Sequence, residues 1–517
     1  MKYLVKSLPI APNADEREVR RAIAKRMNIA EHAFRYEVIK RAAALKEDGY
    51  FYKADIVIET SSFIRDTTIN FFQGVPSLRI QPSKLKDQPV VVGSGLSGLF
   101  ATLILAEAGS RPILIEKGKE NAPRTLDIRS FEGAGTFGNT SPYLCGIGGR
   151  TASQGGQVIS ADLDPYRQYA LDTFLEAKVP TFIRSNACSY LNSKETWKIV
   201  SYLCDRIRSL GGEIRFGTSF LGIKRFLGKI TGIEIENESG KELIRTKHVI
   251  LATGPSSPSF LKRMKESGLN LTPRSFFFGM SVEQNQKDFD LRIYKTASKP
   301  MNGPDYLLRE EVKVSNGRRL YLGFHVPSGR LICESRTDRT VLTGTGGASS
   351  SKNAVSTFSV IIDKNEYRKF GGYSMSPELS DIFSSSYRFD YPFHAPSQPL
   401  GEFLSGRSPF RFGNVKSSYR PGVYLADLSS MLPIQLASDF RTGVSQINRK
   451  IPLFLQNDDL FTGFTMNCSA PIDLAFDAEG RTSIKGVYAC LPPEIEEEDL
   501  LCKASRGIKT ALALLNG

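Results

Sequence analysis

The sequence predicts an α/β fold: a Rossmann-like nucleotide-binding domain with an inserted, mostly β domain and a small N-terminal α+β domain. A glycine-rich turn in the spacing G-x-G-x-x-G joins an apolar strand to an apolar helix within residues 90–108. A second apolar strand ends in Ala252-Thr253-Gly254. Short β-like runs separated by Gly, Pro and Ser fill the later half of the chain. We therefore expect an N-terminal α+β domain at 1–85, a nucleotide-binding domain at 86–272 and 462–517, and an inserted β-rich substrate domain at 273–461.

The turn that opens the nucleotide-binding domain reads Gly93-Ser94-Gly95-Leu96-Ser97-Gly98. Gly93 permits a tight turn, Gly95 lets the backbone approach a pyrophosphate, and Gly98 lets the helix pack on the strands. The start of the helix offers free N–H groups and a partial positive charge to the same pyrophosphate. The next strand ends in Glu116, eighteen residues after Gly98, which is placed to accept hydrogen bonds from a ribose.

Residues 89–109 are also long and apolar enough to suggest a transmembrane helix. The glycines and the internal Glu107 argue against one, and burial on both faces of a βαβ unit explains the same apolarity. A glycine-rich packing turn is the remaining alternative. The order strand, turn, helix, strand, acid favours dinucleotide binding over that alternative.

Two further stretches point to FAD among the dinucleotides. Small residues at Ala252, Thr253 and Gly254 let a strand end pass beside the cofactor. A glycine-rich passage between Glu116 and residue 157 implies backbone close to a flat or charged group, which a flavin and its ribityl-phosphate arm would fit; a long flexible loop is the alternative. The expected cofactor-binding residues of this passage and its approach are Lys117, Arg124, Gly148, Gly149, Gln154, Gly155 and Gly156.

Composition narrows the functional class. Seven cysteines are scattered without a C-x-x-C pair, which excludes a dithiol reductase and predicts reduced thiols. Four histidines make a histidine-rich metal site improbable. His325 and His394 are candidate site residues, although a lone histidine is more often structural. The apolar run at the start of the sequence is too short for a signal peptide, so we expect a cytoplasmic protein.

The net charge of +14 favours anionic partners, which include a phosphorylated cofactor, an acidic substrate and nucleic acid; a solvated basic surface is the alternative. The positive charges are dispersed along the chain. We therefore expect a small-molecule substrate, with an anionic one as an open alternative and NAD(P)H as an open electron donor. Neither a membrane nor nucleic acid is expected as a partner.

Three local predictions concern other parts of the chain. Asn13 and Glu16 form a plausible capping pair before the first helix. The run Gly344-Thr345-Gly346-Gly347 lacks a following apolar helix, so it predicts a loop and no second nucleotide site. A strand over 483–490 and a helix over 499–515 return the chain to the nucleotide-binding sheet.

With these motifs in hand, the sequence resembles the bacterial FAD-dependent dehydrogenases of largely unknown substrate, relatives of the two-dinucleotide-fold flavoproteins. The resemblance covers nearly the whole chain, and its more particular stretches are 146–149, 210–216, 418–422, 449–452 and 507–509. It implies that Glu116 binds the adenosine ribose, that residues 148–156 border the flavin, and that the backbone at Phe220 reaches the adenine. No catalytic side chain is implied.

Two stretches depart from that family. Where the family has a glycine-rich segment of the form A-G-E-G-A-G-Y-A-G-G, this chain reads Cys490-Leu491-Pro492-Pro493-Glu494-Ile495-Glu496-Glu497-Glu498-Asp499. Prolines lack an N–H donor, and five acids gather where phosphates are expected; the alternative is that the acids cap the following helix. The loop at 149–157 has also lost the family's acid and lysine.

The sequence therefore predicts an FAD-binding oxidoreductase that transfers a hydride between the flavin and an unidentified substrate. Because the flavin carries such chemistry, the protein needs to position substrate and tune the ring. One alternative is a degenerate member that keeps the fold as a binding or scaffold protein with weak or no FAD. A second is a flavoprotein that acts on RNA.

Overall fold

The computed structural model describes most of the 517 residues, namely 1–46, 49–66, 68–118, 155–160, 163–254, 258–295, 310–334, 341–347, 351–367, 381–382, 385–391, 393–419, 422–467, 472–492 and 499–517. Its architecture is mixed α/β, as predicted. Every helix within these ranges is too short or too polar to cross a membrane.

The N-terminal part is a four-stranded sheet with one helix packed on it. Its elements are β1 (Lys2–Ile10), α1 (Glu16–Met27), β2 (Phe34–Lys46), β3 (Gly49–Thr60) and β4 (Asn70–Phe71), with strand order β2-β3-β1-β4. Ile23 and Met27 of α1 are buried against the sheet. The prediction that Asn13 and Glu16 cap this helix is wrong. Asp15 is the N-cap, and it exchanges hydrogen bonds with Glu18 in a capping box.

The nucleotide-binding part begins after residue 89. Its elements up to the insert are β5 (Val90–Val92), α2 (Leu96–Glu107), β6 (Ile113–Ile115), β7 (Gly156–Ile159), α3 (Pro165–Glu176), α4 (Phe182–Ser185), β8 (Cys188–Leu191), α5 (Ser193–Ser209), β9 (Glu213–Arg215), β10 (Ser219–Phe226), β11 (Lys229–Asn237), β12 (Gly240–Arg245), β13 (Val249–Leu251), α6 (Pro258–Glu266) and β14 (Leu271–Pro273).

The later part of the chain contributes the remaining elements. They are β15 (Phe276–Asn285), α7 (Gln286–Tyr294), β16 (Glu310–Lys313), β17 (Arg319–Cys333), β18 (Thr343–Gly347), β19 (Asn353–Ile362), α8 (Lys364–Tyr367), β20 (Ala395–Pro399), α9 (Leu400–Ser405), β21 (Val423–Leu425), α10 (Ile434–Lys450), β22 (Leu460–Met466), β23 (Ile472–Leu474), β24 (Val487–Ala489) and α11 (Leu500–Asn516).

A five-stranded parallel sheet is the centre of the nucleotide-binding part. Its order is β24-β13-β5-β6-β9, with all four pairs parallel. Numbered by appearance in the chain, this is the order 3-2-1-4-5 of dinucleotide-binding sheets. Strands β5, β6 and β13 are buried at every residue because both faces of the sheet are covered. Helices α2, α5 and α11 pack on one face, and the antiparallel sheet β10-β11-β12 packs on the other.

The inserted part is built on one large sheet in the order β16-β17-β19-β15-β22-β20-β21, with β18 paired to β17. Helix α10 packs on its apolar face, where Phe278, Phe358 and Phe440 are fully buried. The prediction of a loop at 344–347 is wrong, since β18 pairs antiparallel with residues 329–333 of β17. Cross-strand hydrogen bonds outweigh the weak strand propensity of its glycines.

The insert leaves and re-enters the nucleotide-binding part at one place. Strand β14 on the way out pairs antiparallel with β23 on the way back. Beside this ribbon, the Arg274 guanidinium lies 2.6 Å from Asp473, and both side chains are buried. Pairing buried charges avoids the cost of leaving either one alone. The two connections are therefore tied together as one buried junction.

Candidate functional site

The carboxyl ends of the parallel strands form one edge. The Gly93 amide donates to the Ile115 carbonyl at 2.9 Å, and the Ala252 amide donates to the Val92 carbonyl at 2.8 Å. The segments that follow β5, β6 and β13 thus start side by side. Ligands of open parallel sheets bind outside this edge, at the point where successive connections leave in opposite directions. In this sheet that point lies between β5 and β13.

Two glycines of the turn after β5 are required by packing. Gly93 has φ +104°, and a Cβ there would lie 2.5 Å from the Ala252 carbonyl oxygen. A Cβ at Gly98 would lie 1.9 Å from the Gly93 carbonyl oxygen. Neither backbone atom can move aside easily, so any side chain at these positions forces the turn apart. Both glycines therefore have the mechanical roles that their spacing predicts.

Gly95 differs because no described atom lies where its side chain would be. It is the N-cap of α2, and within the described residues no side chain caps the helix; the first turn contains no acidic residue. A Cβ on Gly95 would meet no atom of the described residues within 4 Å. Uncapped N–H groups below open space suit an anion such as a diphosphate. This cradle is the feature of the edge that fits the predicted cofactor.

The side chains of the two residues after Gly95 contact other parts of the protein. Leu96 is buried in the core between the sheet and the helices. The Ser97 hydroxyl donates to the Lys503 carbonyl on α11 at 2.8 Å. Their contribution to an anion site would therefore come from their backbone, while their side chains hold α2 in position.

Glu116 follows β6 and is buried. One carboxylate oxygen accepts from the Ser94 amide at 3.0 Å and the Ser94 hydroxyl at 2.6 Å, and the other accepts from the Gly118 amide at 2.8 Å. Glu116 therefore ties the turn after β5 to the turn after β6, a role that spacing alone did not indicate. Lys117, next in the chain, is exposed. A ribose contact for Glu116 stays a prediction.

The segment after β13 lines the same edge. Ala252 is buried, and the buried Thr253 hydroxyl oxygen has no hydrogen-bond partner among the described residues. Gly254 adopts φ +67°, and a Cβ there would meet no described atom within 4 Å. A buried hydroxyl without a partner costs free energy, so Thr253 is a second feature that fits a polar ligand at this edge.

Phe220 lies on β10, on the far side of the parallel sheet from the helices. Its ring is buried, with its centroid 6.2 Å from that of Phe260. The neighbouring Thr218 amide donates to the Glu116 carbonyl at 2.9 Å. Strand β10, which carries Phe220, therefore starts beside Glu116, while the Phe220 side chain belongs to the apolar core.

The glycine-rich passage lies mostly outside the described residues, including Arg124, Gly148, Gly149 and Gln154. For the two glycines that are described, the structure supplies packing reasons. A Cβ at Gly155 would lie 2.1 Å from the Leu191 carbonyl oxygen, and one at Gly156 would lie 2.5 Å from Leu500 Cδ2. Contact of this passage with a cofactor stays a prediction.

The start of α11, which follows β24, contrasts with the start of α2. Asp499 is its N-cap and is only 2% exposed. One oxygen accepts from the Leu501 amide at 2.6 Å and the Cys502 amide at 3.1 Å. The capping interpretation therefore holds for Asp499. The four glutamates among residues 494–498 lie outside the described residues.

The two described thiols near this edge, Cys490 and Cys502, are not activated nucleophiles. Burial raises the pKa of the Cys490 thiol. Burial, with the Asp499 carboxylate, raises the pKa of Cys502 to about 11. Cys145 lies outside the described residues. Both described thiols stay protonated at neutral pH and cannot act as thiolates there.

The candidate histidines lie in the insert. His325 is buried, stacks on Phe289 with ring centroids 4.6 Å apart, and shares a 2.8 Å hydrogen bond with Ser356. Burial lowers its pKa to about 3, which keeps the ring neutral. Among the described residues, no group of three or more His, Cys, Asp or Glu side chains could hold a metal ion.

Comparison with known proteins supports the cofactor. Residues 275–467 match the family model described as FAD-dependent protein, C-terminal domain-like. This match confirms FAD as the cofactor predicted from the sequence. It covers every described strand of the large sheet and helices α7 to α10.

Individual relatives are distant. A protein of Clostridium beijerinckii, described only as uncharacterized, is 24% identical over 511 residues, which are 95% of this chain and 93% of that protein. A putative polyketide hydroxylase of Streptomyces coelicolor is 25% identical over 179 residues, 33% of this chain and 27% of that protein. The chain thus spans about a quarter of the hydroxylase's length.

A solved structure of a triple mutant of the flavin-dependent brominase Bmp2 aligns with 83% of this chain and 80% of its own. The sequences are 11% identical and the TM-score is 0.35. At that level of likeness the brominase supports no statement about this chain.

Proposed function

We propose that the chain is an FAD-dependent oxidoreductase that holds FAD across the carboxyl edge of the parallel sheet and acts on a small molecule. The observation that carries this proposal is the uncapped start of α2 at Gly95, with open space above it. The family match at residues 275–467 supports the same cofactor.

The chain's own groups would divide the binding as follows. The N–H groups at the start of α2 would hold the diphosphate, with Gly93 and Gly98 fixing the turn. Glu116 keeps that turn in place through Ser94, and a ribose hydroxyl would join its donors. When bound, FAD supplies the hydride transfer.

The neutral, buried His325 cannot serve as a proton carrier at neutral pH, because burial lowers its pKa to about 3. Proton movement would then depend on other groups or on the substrate. A cytoplasmic location, an NAD(P)H donor and independence of membranes and nucleic acid remain predictions from the sequence.

Gly95→Asp tests the cofactor site. Aspartate is a favoured N-cap and the Gly95 backbone is already extended, so the thermal unfolding midpoint of the cofactor-free protein should stay the same or rise. The new carboxylate would occupy the diphosphate position, where repulsion between two charges about 4 Å apart is worth about 4 kcal/mol. We expect FAD affinity, measured by fluorescence titration, to fall at least tenfold.

Gly95→Asn is the matched control, since asparagine caps a helix equally well without a charge. It should retain more FAD than Gly95→Asp. Equal FAD affinity in the wild type and Gly95→Asp would place the cofactor elsewhere. A wild-type protein that stays colourless after incubation with FAD and desalting would favour the scaffold alternative.

A further inference from the structure

The N-terminal hairpin β2–β3 contacts both of the other parts of the molecule. Arg41 of β2 forms a parallel bridge with Asn186, and the Ala187 amide donates to the Arg41 carbonyl at 2.8 Å. On β3, the Tyr50 ring meets Tyr294 of α7 edge-on, with centroids 5.1 Å apart. The N-terminal part therefore spans the junction between the nucleotide-binding part and the insert.

A set of polar side chains at this junction, Arg41, Tyr52, Gln157, Asn186 and Cys188, is here named the junction wall. Arg41 Nε donates to Asn186 Oδ1 at 3.0 Å, and the Arg41 guanidinium carbon lies 5.4 Å from the centre of the Tyr52 ring. Gln157 Nε2 donates to Cys188 Sγ at 2.9 Å. Strands β7 and β8, paired antiparallel, carry the glutamine and the cysteine.

Within the part of the chain that the structure describes, two amide atoms of the junction wall have no hydrogen-bond partner. Asn186 is fully buried and Gln157 is 7% exposed, yet Asn186 Nδ2 and Gln157 Oε1 are both unpaired. An arginine can only donate, so its bond fixes Oδ1 of Asn186 as the acceptor and leaves Nδ2 as a donor. A buried polar atom without a partner costs free energy, and a bound ligand would relieve that cost.

The junction wall begins beside the proposed cofactor edge. Gly156 directly precedes Gln157, and a Cβ there would lie 2.5 Å from Leu500, the first residue of α11. Strand β24, which precedes α11, adjoins β13 in the parallel sheet. A molecule on the junction wall would thus lie next to the edge at which FAD is proposed to bind.

We propose that the junction wall binds a small carboxylate that also carries a hydroxyl or N–H group. Arg41 and Asn186 Nδ2 would donate to the carboxylate, and Gln157 Oε1 would accept from the second group. This inference rests on the proposed function and specifies its substrate class: a hydroxylated or N–H-bearing carboxylic acid. It also gives the N-terminal part a role, since Arg41 belongs to it.

The test is calorimetric titration of the full chain, without FAD and with FAD, using 3-hydroxybenzoate and benzoate. Asn186→Asp places a carboxylate beside Arg41, where it forms an ion pair that preserves the fold, but it repels an anionic ligand. We expect Asn186→Asp to lower the affinity for both acids at least tenfold, and Arg41→Gln to do the same. Gln157→Leu should remove only the preference for 3-hydroxybenzoate over benzoate.

Arg35→Gln is the matched control, because Arg35 is an exposed arginine on the same strand β2; it should bind both acids like the wild type. Thermal unfolding of each variant checks that the fold is kept. If neither acid binds, or if folded Asn186→Asp binds them like the wild type, the junction wall is not a carboxylate site. Carboxylate binding that persists in a protein unable to take up FAD would instead overturn the proposed function alone.

Discussion

Helices α2 and α11 start at the same edge of the parallel sheet, but their N-cap residues differ in whether a side chain accepts from the free N–H groups of the first turn. At α2, Gly95 provides no cap and leaves open space. At α11, the buried Asp499 carboxylate accepts from the Leu501 and Cys502 amides. One helix start is available to an anion from outside, and the other is already occupied by an anion of the chain.

The difference shows that a helix start at the carboxyl edge is not by itself a phosphate site. The same partial positive charge attracts either a ligand or a side chain, and one residue decides which. In this protein glycine leaves the α2 start to the proposed diphosphate, whereas aspartate closes the α11 start. The two helices are nevertheless packed backbone to backbone, since a Cβ at Gly507 would lie 2.0 Å from the Ser97 carbonyl oxygen.

Gly507→Ala should break the comparison most strongly, because it pushes the two helices apart. The new methyl group would clash with backbone atoms of Ser97 and Ala101, which side-chain motion cannot relieve. We expect a loss of about 3 kcal/mol in the free energy of unfolding, seen as a fall of roughly 3 °C in the thermal unfolding midpoint of a chain of this length. Gly95→Ala is the control, since its methyl group would meet no described atom within 4 Å. Equal midpoints for the two variants would contradict the packing account.

Asp459 of the insert can be compared with Asp499, because both aspartates are buried but only Asp499 caps a helix. It accepts from Gln284 Nε2 and the Gln456 amide, both at 2.7 Å, and burial raises its pKa to about 6. The pKa of Asp459 is higher in the folded than in the unfolded protein. Its contribution to the free energy of unfolding, about 3 kcal/mol, is therefore complete below about pH 4 and is lost as pH rises through about 6.

Unfolding midpoints of the wild type and Asp459→Asn should therefore converge or cross between pH 4 and 7, with the variant gaining on the wild type. Asp288→Asn removes an exposed carboxylate of the insert and controls for the change in net charge. A constant difference between the wild type and Asp459→Asn over this range would refute the shifted pKa.

Asp499 substitutions give the smallest effect and address the α11 start directly. Asp499→Ala removes both hydrogen bonds to the helix and should lower the free energy of unfolding by about 1 kcal/mol. Asp499→Asn keeps a side-chain cap, so it should lower the free energy of unfolding by less than Asp499→Ala does. Both remove an acid from the cofactor edge, so FAD affinity should rise severalfold in each, by fluorescence titration. An unchanged affinity in both variants would show that Asp499 does not face the cofactor.

Local rules predicted the βαβ unit well. The apolar run after the glycine turn became α2, and Glu116 stands at the end of β6. These features depend on residues within one connection, so the sequence determines them. Local rules failed for the N-cap of α1, because Asn13 and Asp15 each precede a glutamate by three residues and both can accept the capping hydrogen bond. The structure chose Asp15 over Asn13.

The junction wall could not be predicted, because its members meet only through tertiary structure. Arg41 and Asn186 are 145 residues apart, and neither lies in a recognisable motif. Strand β18 was missed for a related reason, since its pairing with β17 supplies what its glycines lack. Hydrogen bonds to distant partners thus decided both outcomes, and no single-sequence pattern records them.

The paired strands β14 and β23 have a consequence for how such a protein can diversify. The insert's two ends leave the nucleotide-binding part side by side, paired as strands and joined by the ion pair of Arg274 and Asp473, so both chain connections of the insert lie at one place. Exchanging the insert would leave the strand order of the parallel sheet intact. One contiguous segment could therefore be exchanged while the parallel sheet and the residues of the junction wall, none of which belongs to the insert, are inherited unchanged.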